Sequence, residues 1–548
     1  MSSSKKKQLR KEQYMTERQA SAAKEAKQLK RYTLTFWAVI ALVVCIFITA
    51  VAINPIKNMS YKNTTAMTVG DHKLSSVDVN YFFVDAVSGY VNEYSSYISL
   101  IMDVSKPLNE QYINTENQTT WADSFLTSAI STIKSTYALY DLAVQNGHEL
   151  TASEKSSIDN QIATYQLYAA YYGYSDLDAY LRNLYGYGAD QDSYRNYLEV
   201  SALANSYLSV YSESLEYSEE EMLAYYNADP FRFTSYTFAA YYVNANSYLE
   251  GGTLDEKGNT VYSDEEKAKA LQNAELAAEM LAGNNYSNVE SFDVAIKGMP
   301  INANNTAAAS TKYEDALYEE ISTLFQNWLT GKVDGIEEGA VATYVPREEG
   351  DMIVIPYTTG SGDSAVTNGF YVLRFESSTD NNFAMKNVRH ILVAFEGGTT
   401  NSTTGVTTYT DEEKDKAQDE AERLLAGWLA AGDLSEESFA ELAKKNSDDN
   451  ASSGGLYEDI YPGQMVSTFN DWCFDPARQV GDYEIIATDY GYHIMFFVGN
   501  SETTFRDFMI NNAMRNEEVE NWHNELVEAI EVTTVTTKHI LMDMVLSH

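Results

Sequence analysis

The sequence predicts an α+β chain of several domains, on three grounds. Its 548 residues exceed the usual size of one domain, and a hydrophobic content of 44% allows real cores. From about residue 76 to 227, apolar and aromatic residues recur at helical spacing, whereas 231–499 alternates strand-like runs with helices. Finally, Tyr262 to Ala270 (YSDEEKAKA) returns as Tyr409 to Ala417 (YTDEEKDKA), an offset of 147. The order strand, helix, irregular acidic stretch, strand occurs twice, at about 231–377 and 384–499. Two copies are too few for a solenoid, so they read as tandem α/β domains. The expected organisation is a basic tail (1–31), a single N-terminal transmembrane helix (32–54), a helical region (55–230), a degenerate first copy (231–380), an intact second copy (381–502) and a C-terminal helix and strand (503–548).

Charge is distributed unevenly along this order. The net charge is −41, yet residues 1–31 hold ten Lys/Arg against three Glu. The remainder carries 28 Lys/Arg against 76 Asp/Glu, a balance that repels phosphates and argues against a nucleic-acid partner. Thr33 to Ile53 is a run of 21 residues without a charge. At about 1.5 Å per residue it spans a bilayer core of roughly 30 Å. An uncleaved signal anchor is expected, with Ala50-Val51-Ala52 as a weak alternative cleavage site and Cys45 a poor lipid-attachment candidate after Val44. Positive charge stays inside, so the tail is expected in the cytoplasm and the acidic body outside, in a single-pass cell-membrane protein. Cys473 is the only cysteine beyond this segment, which rules out an intrachain disulfide there and a Cys-His metal site.

In the helical region, Ser76 is expected to cap a helix running to about Met102, and Trp121 to Gln145 forms a helix stopped at Asn146-Gly147. Thr151 with Glu154, and Ser218 with Glu221, are capping boxes. Further helices fit Leu177–Leu184 and Ser193–Leu215. Tyr165, Tyr168, Tyr171 and Tyr172 form an aromatic stripe that suits either ordinary core or a cradle for unfolded chains. At the other end, Asn511 to Ile530 is amphipathic, with Met514, Val519, Trp522, Leu526 and Ile530 on its apolar side. Lys538-His539-Ile540-Leu541 mimics the segment around His390, but too little chain follows for a third domain.

The copies differ in their histidines. His390 lies in the first strand-like run of the second copy and His493 in its last, which makes sense if the strands pair and bring both imidazoles together. No histidine occurs between His148 and His390, and Tyr371 stands where the second copy has His493. The residues leave two readings open: a functional pair, or a buried pair that serves only the fold.

Residues 388–498 resemble the parvulin-type peptidyl-prolyl cis/trans isomerases. The likeness rests on Arg389-His390-Ile391-Leu392-Val393, Ser438 to Ala443, Ser447-Asp448-Asp449, Gly454-Gly455, Gly463-Gln464-Met465, Phe469, Phe474 and Gly491-Tyr492-His493-Ile494. Their order and spacing together are specific where each alone is not. The wider arrangement is similar to the exported foldases PrsA and SurA. This resemblance implies that Met465 and Phe469 line a proline pocket with Ile460 behind them. It implies a hydrogen-bonded pair of His390 and His493 completed by Thr488, with Asp449 beside the substrate carbonyl and Gln464 positioning backbone. One departure stands out: where the family usually has Asp-Leu-Gly after the double glycine, this chain has Leu456-Tyr457-Glu458. Losing that glycine removes a permissive backbone position at the pocket rim. No Lys or Arg occurs from Ile391 to Glu413, so a phosphorylated substrate would find no partner there.

The chemistry agrees with this resemblance. Rotation about an X-Pro bond faces a barrier of about 18–20 kcal/mol. Lowering it requires a dry pocket and polar groups that favour the twisted amide, and neither a metal nor a cofactor. The expected function is a membrane-anchored extracytoplasmic isomerase and chaperone acting on unfolded or partly folded exported polypeptides. The alternatives are a non-enzymatic holdase with scaffolding domains, or a surface structural or adhesive protein. The clients and the oligomeric state are left open.

Overall fold

The computed structural model describes residues 55–546, apart from 116, 306, 334–343 and 402–404, and before them only positions 30, 35, 39 and 40. Apart from those four positions, the expected basic tail and signal anchor therefore lie outside the described residues. Among those described, no helix is long and apolar enough to cross a membrane. The chain divides into two compact units, one made of residues up to 215 together with 516 onward, the other of 216–515.

In the first unit, β1 (Thr65–Val69) and β2 (His72–Ser75) form a hairpin, and β11 (Val532–Thr534) pairs with the other edge of β1. Among the described residues, five helices of two turns or more follow the hairpin: α1 (Ser76–Glu93), α2 (Trp121–Gln145), α3 (Ala152–Tyr171), α4 (Leu177–Tyr185) and α5 (Gln191–Ser214). Their starts are set by side chains that accept otherwise unpaired N–H groups. Thr120 with Asp123 and Thr151 with Glu154 are complete capping boxes. The cap of α1 is Ser75 rather than Ser76, and α1 ends at Glu93, not near Met102. Only a single helical turn, Ile98–Ile101, forms beyond it.

The tyrosine stripe of α3 divides. Tyr165 stacks on Tyr194 with ring centres 5.2 Å apart, whereas Tyr171 is 82% and Tyr172 is 64% exposed. The C-terminal segment, expected as a separate element, is built into this unit. Trp522 stacks on Tyr211 at 3.8 Å, and the His539 ring stacks on Tyr61 at 4.1 Å while bonding Ser60 Oγ at 2.9 Å. The fully buried Asn80 of α1 ties this segment down. Its Nδ2 donates to the carbonyls of Tyr185 (2.9 Å) and His539 (3.1 Å), and its Oδ1 accepts from the Leu541 N–H (3.2 Å). Asn80→Ala strands three backbone groups in the core, so a loss of about 3 kcal/mol is expected from denaturant titration.

The second unit begins with α6 (Glu219–Ala228), capped by the expected Ser218–Glu221 box, and contains both copies. The first holds β3 (Ser235–Asn244), α7 (Asp264–Ala282), α8 (Val289–Gly298), β4 (Thr311–Leu317), α9 (Thr323–Thr330), β5 (Met352–Thr359) and β6 (Val366–Thr379). The second holds β7 (Ala384–Ala394), α10 (Asp411–Ala431), α11 (Glu436–Asn446), β8 (Leu456–Ile460), α12 (Ser467–Phe474), β9 (Tyr483–Ala487) and β10 (Gly491–Thr504). The sheets have the same order, β4-β3-β6-β5 and β8-β7-β10-β9, with antiparallel neighbours throughout. The repeated segment does the same work twice: Ser263 with Glu266, and Thr410 with Glu413, box the starts of α7 and α10. Each glutamate also accepts from a loop glycine, Gly252 N–H at 3.0 Å and Gly398 N–H at 2.9 Å. In each copy one face of the sheet packs on the two long helices and the other on the short helix, α9 or α12.

The helix Phe505–Ala529 (α13) begins six residues before the expected Asn511.

Candidate active site

The site is built on the two central strands of the second copy. In their antiparallel register His390 pairs with Met495 and Leu392 with His493, so the imidazoles are diagonal neighbours on one face. Their Nδ1 atoms are 2.9 Å apart and their rings are stacked with centres at 5.1 Å. On the outer side, His493 Nε2 is 2.9 Å from Thr488 Oγ1. On the other, His390 Nε2 is 3.3 Å from Asp449 Oδ2, but outside hydrogen-bond alignment, so among the described residues this buried nitrogen has no formed bond.

Residues 447–449 are strapped to β7. Ser447 Oγ accepts from Leu392 N–H at 3.1 Å, Asp448 N–H donates to Leu392 O at 2.9 Å, and Asp448 Oδ2 accepts from Ala394 N–H at 2.9 Å. The double glycine closes the same edge. His390 N–H donates to Gly455 O at 2.9 Å, and a Cβ on Gly455 would lie 2.0 Å from His390 O. Only glycine allows the two backbones to approach so closely at φ +69°.

His390 and His493 are 1% and 5% exposed, and burial is the main influence on both. It pushes each imidazole well below the ordinary histidine value; Asp449 opposes the shift, while His390 deepens that of His493. Both rings are therefore neutral near pH 7, and a neutral ring has one N–H and one bare nitrogen. A carboxylate oxygen 3.3 Å from His390 Nε2 favours the proton on that nitrogen. His390 Nδ1 must then accept from His493 Nδ1–H, and His493 Nε2 from the Thr488 hydroxyl. Thr488, His493 and His390 form one hydrogen-bonded chain with a direction, and its His390 end faces the Asp449 carboxylate.

Phe469, 3% exposed, stands edge-on to both imidazoles, with ring centres 5.4 Å from His390 and 5.7 Å from His493. Met465 is partly buried in the same cluster. Ile460 is completely buried beneath them. Gln464 is exposed and turns back on its own loop, where its Oε1 accepts from Tyr461 N–H at 3.1 Å. It makes local backbone contacts and no described contact with the histidines. The clustered polar and apolar walls could hold a proline ring, and His390 Nε2–H, the one imidazole proton not used within the pair, could donate to an amide as it twists.

Tyr457 was not expected in the site. It pairs with Val388 across the sheet, places its ring 5.1 Å from His390, and donates from its hydroxyl to Asp449 Oδ2 at 3.0 Å. A signal for it existed: Tyr457-Glu458-Asp459 repeats Tyr313-Glu314-Asp315 of the first copy. Tyr313 holds the same place there, across from Phe238 and stacked on it at 4.4 Å. In both copies the aspartate takes the left-handed conformation, φ +45° at Asp315 and +56° at Asp459. Its N–H is held by the neighbouring strand, on Thr237 Oγ1 at 3.0 Å or Asn387 Oδ1 at 2.9 Å. The permissive position missing at Glu458 is thus supplied one residue later by an aspartate, which tolerates this conformation better than most residues.

The first copy keeps the apolar wall but not the polar chain. Phe325 and Trp328 of α9 correspond to Phe469 and Trp472 of α12, and Phe325 lies 5.1 Å from Tyr371, the counterpart of His493. Tyr242, Tyr357 and Tyr371 cluster there with ring centres 4.9–5.7 Å apart.

The model of the PPIC-type PPIase domain matches residues 370–500. Among solved structures, PrsA of Bacillus cereus is 22% identical over 27% of this chain and 49% of that one, with a TM-score of 0.16. A structure of SurA-like chaperones of Campylobacter jejuni is 24% identical over 26% and 51%, with a TM-score of 0.15. PrsA of Bacillus subtilis is 13% identical over 75% and 88%, with a TM-score of 0.24. The chain thus spans about half the length of the first two. No curated protein matches it. Residues 370–500 are thus similar to a PPIC-type, or parvulin-type, peptidyl-prolyl isomerase domain.

Proposed function

We propose that the second copy catalyses cis/trans isomerisation of X-Pro bonds in exported polypeptides while other parts of the chain hold the unfolded client. The observation that carries this reading is the meeting of His390, His493 and Phe469 inside a matched PPIC-type domain. Substrate would enter with its proline ring against Phe469 and Met465. The neutral imidazoles would favour the twisted amide over the planar one without any covalent step. Asp449, with its side chain 43% exposed, would stand at the rim beside the substrate carbonyl. The first copy has no histidine and would serve as scaffold or as additional binding surface. The exposed aromatic side of α3 suits client binding, since Tyr rings offer apolar area at low entropic cost. A membrane anchor at 33–53, with residues 1–31 in the cytoplasm and the acidic body outside, completes the reading.

The test is acceleration of proline-peptide isomerisation by the full chain. Phe469→Ala is expected to lower kcat/KM at least tenfold, mainly through KM, because it removes the pocket wall and leaves the imidazoles in place. A folded wild-type protein with no rate above background would reject the enzymatic reading. Suppression of client aggregation by that same protein would then favour a holdase.

A further inference from the structure

We infer that Tyr457 is a positioning residue: its hydroxyl holds Asp449 Oδ2 against the His390 edge and so sets the direction of the Thr488–His493–His390 hydrogen-bond chain. The inference deepens the proposed function and rests on it only for the predicted change in rate.

Three observations support it. The Asp449 side chain is 43% exposed, and an exposed carboxylate gains more from water than from a neutral ring 3.3 Å away that it does not bond in line. The Tyr457 hydroxyl, at 3.0 Å on that same oxygen, offers a reason for it to stay. Then there is the ring itself, 5.1 Å from His390 and paired with Val388 in the middle of the β7–β8 ladder, which leaves its hydroxyl little freedom to look elsewhere. The first copy provides an internal contrast. Tyr313 occupies the same register and stacks on Phe238 at 4.4 Å, in a copy that has no histidine. The tyrosine therefore fits this edge strand for packing alone. What distinguishes Tyr457 is that its hydroxyl meets a carboxylate poised at a buried imidazole. An aliphatic residue, which the family resemblance places here, could form the wall but could not hold Asp449.

Nitrogen-15 NMR of histidine-labelled full-length protein reads the tautomers directly, with His390 and His493 assigned by single substitutions. Wild type should show His390 protonated at Nε2 and His493 at Nδ1. Tyr457→Phe, which keeps the ring and its packing, should shift both imidazoles toward a tautomer mixture and lower kcat/KM about three- to tenfold with KM little changed. Asp449→Asn should have the same effect, and the double variant should be no worse than the more affected single one. Tyr457→Leu should reproduce the tautomer change, which separates the hydroxyl from the ring. Unchanged tautomers in Tyr457→Phe, or additive losses in the double variant, would overturn the assignment. If wild type proves inactive, the enzymatic reading falls, but the tautomer comparison still decides the role of Tyr457.

Discussion

Gly455→Ala is expected to destabilise the second copy by more than about 4 kcal/mol, a large fraction of the stability of an ordinary domain. The new Cβ would sit 2.0 Å from His390 O, in the backbone of the central strand, and neither chain can retreat without breaking the His390 N–H to Gly455 O bond. Left-handed backbone strain contributes only about 1–2 kcal/mol of this. Gly481→Ala separates the two effects, since Gly481 has φ +90° but no atom within 4 Å of the point where a Cβ would stand. It should therefore cost only the strain. Denaturant midpoints for the two variants check the comparison, and equal losses would contradict the close-approach argument.

The second large effect is acid lability of the same copy. His493 is pushed down to about 4 and His390 in the same direction, both mainly by burial. An unfolded histidine titrates near 6.5, so between these values the unfolded chain binds protons that the folded one refuses. Stability is therefore fully present above about pH 6.5 and is lost as pH falls below it, by about 1.4 kcal/mol per pH unit for each imidazole. This loss begins before the general carboxylate transition, since carboxylates ordinarily titrate near about pH 4. Unfolding free energy measured from pH 7 to 4.5 should show this slope, and His493→Gln should remove one imidazole's share. A flat profile across that window would mean that the histidines are accessible to water.

Such acid sensitivity also bounds the assay. Isomerase activity is expected to be level near neutral pH and to fall with the folded population on acidification, rather than through titration of a catalytic group at pH 6–7. Kinetic and stability profiles measured on the same preparation should therefore coincide.

Much of this molecule was legible from local residue patterns. The boxes at Thr151 and Ser218 mark helix starts because a cap satisfies its bonds within four residues. The duplication was visible in YSDEEKAKA and YTDEEKDKA because the same capped helix, locked to the same loop glycine, is built twice. The pair of His390 and His493 with Thr488 was anticipated through resemblance, and its members do meet in space, while Asp449, expected beside the substrate carbonyl, stands at the His390 edge. Other features escaped this kind of reading. The end of α1 at Glu93 was overrun because apolar periodicity continues past the point where the chain turns. Asn80 gave no sign of fastening residues 539–541, more than 450 positions away.

By itself, the sequence determined the α+β class, the two tandem copies, the strongly acidic body and which copy holds the histidines. These depend on composition, short-range capping and period, all of which are local. Tertiary structure alone decided that Tyr457 joins the groups around the imidazoles. Tyr457 reaches Asp449 because β8 pairs with β7 in one register, and a shift of one residue would turn that ring to the opposite face. Gln464, by contrast, is satisfied by its own turn and stays outside. Strand register and long-range closure assign such contacts, and neither is set by the residues next to them in the chain.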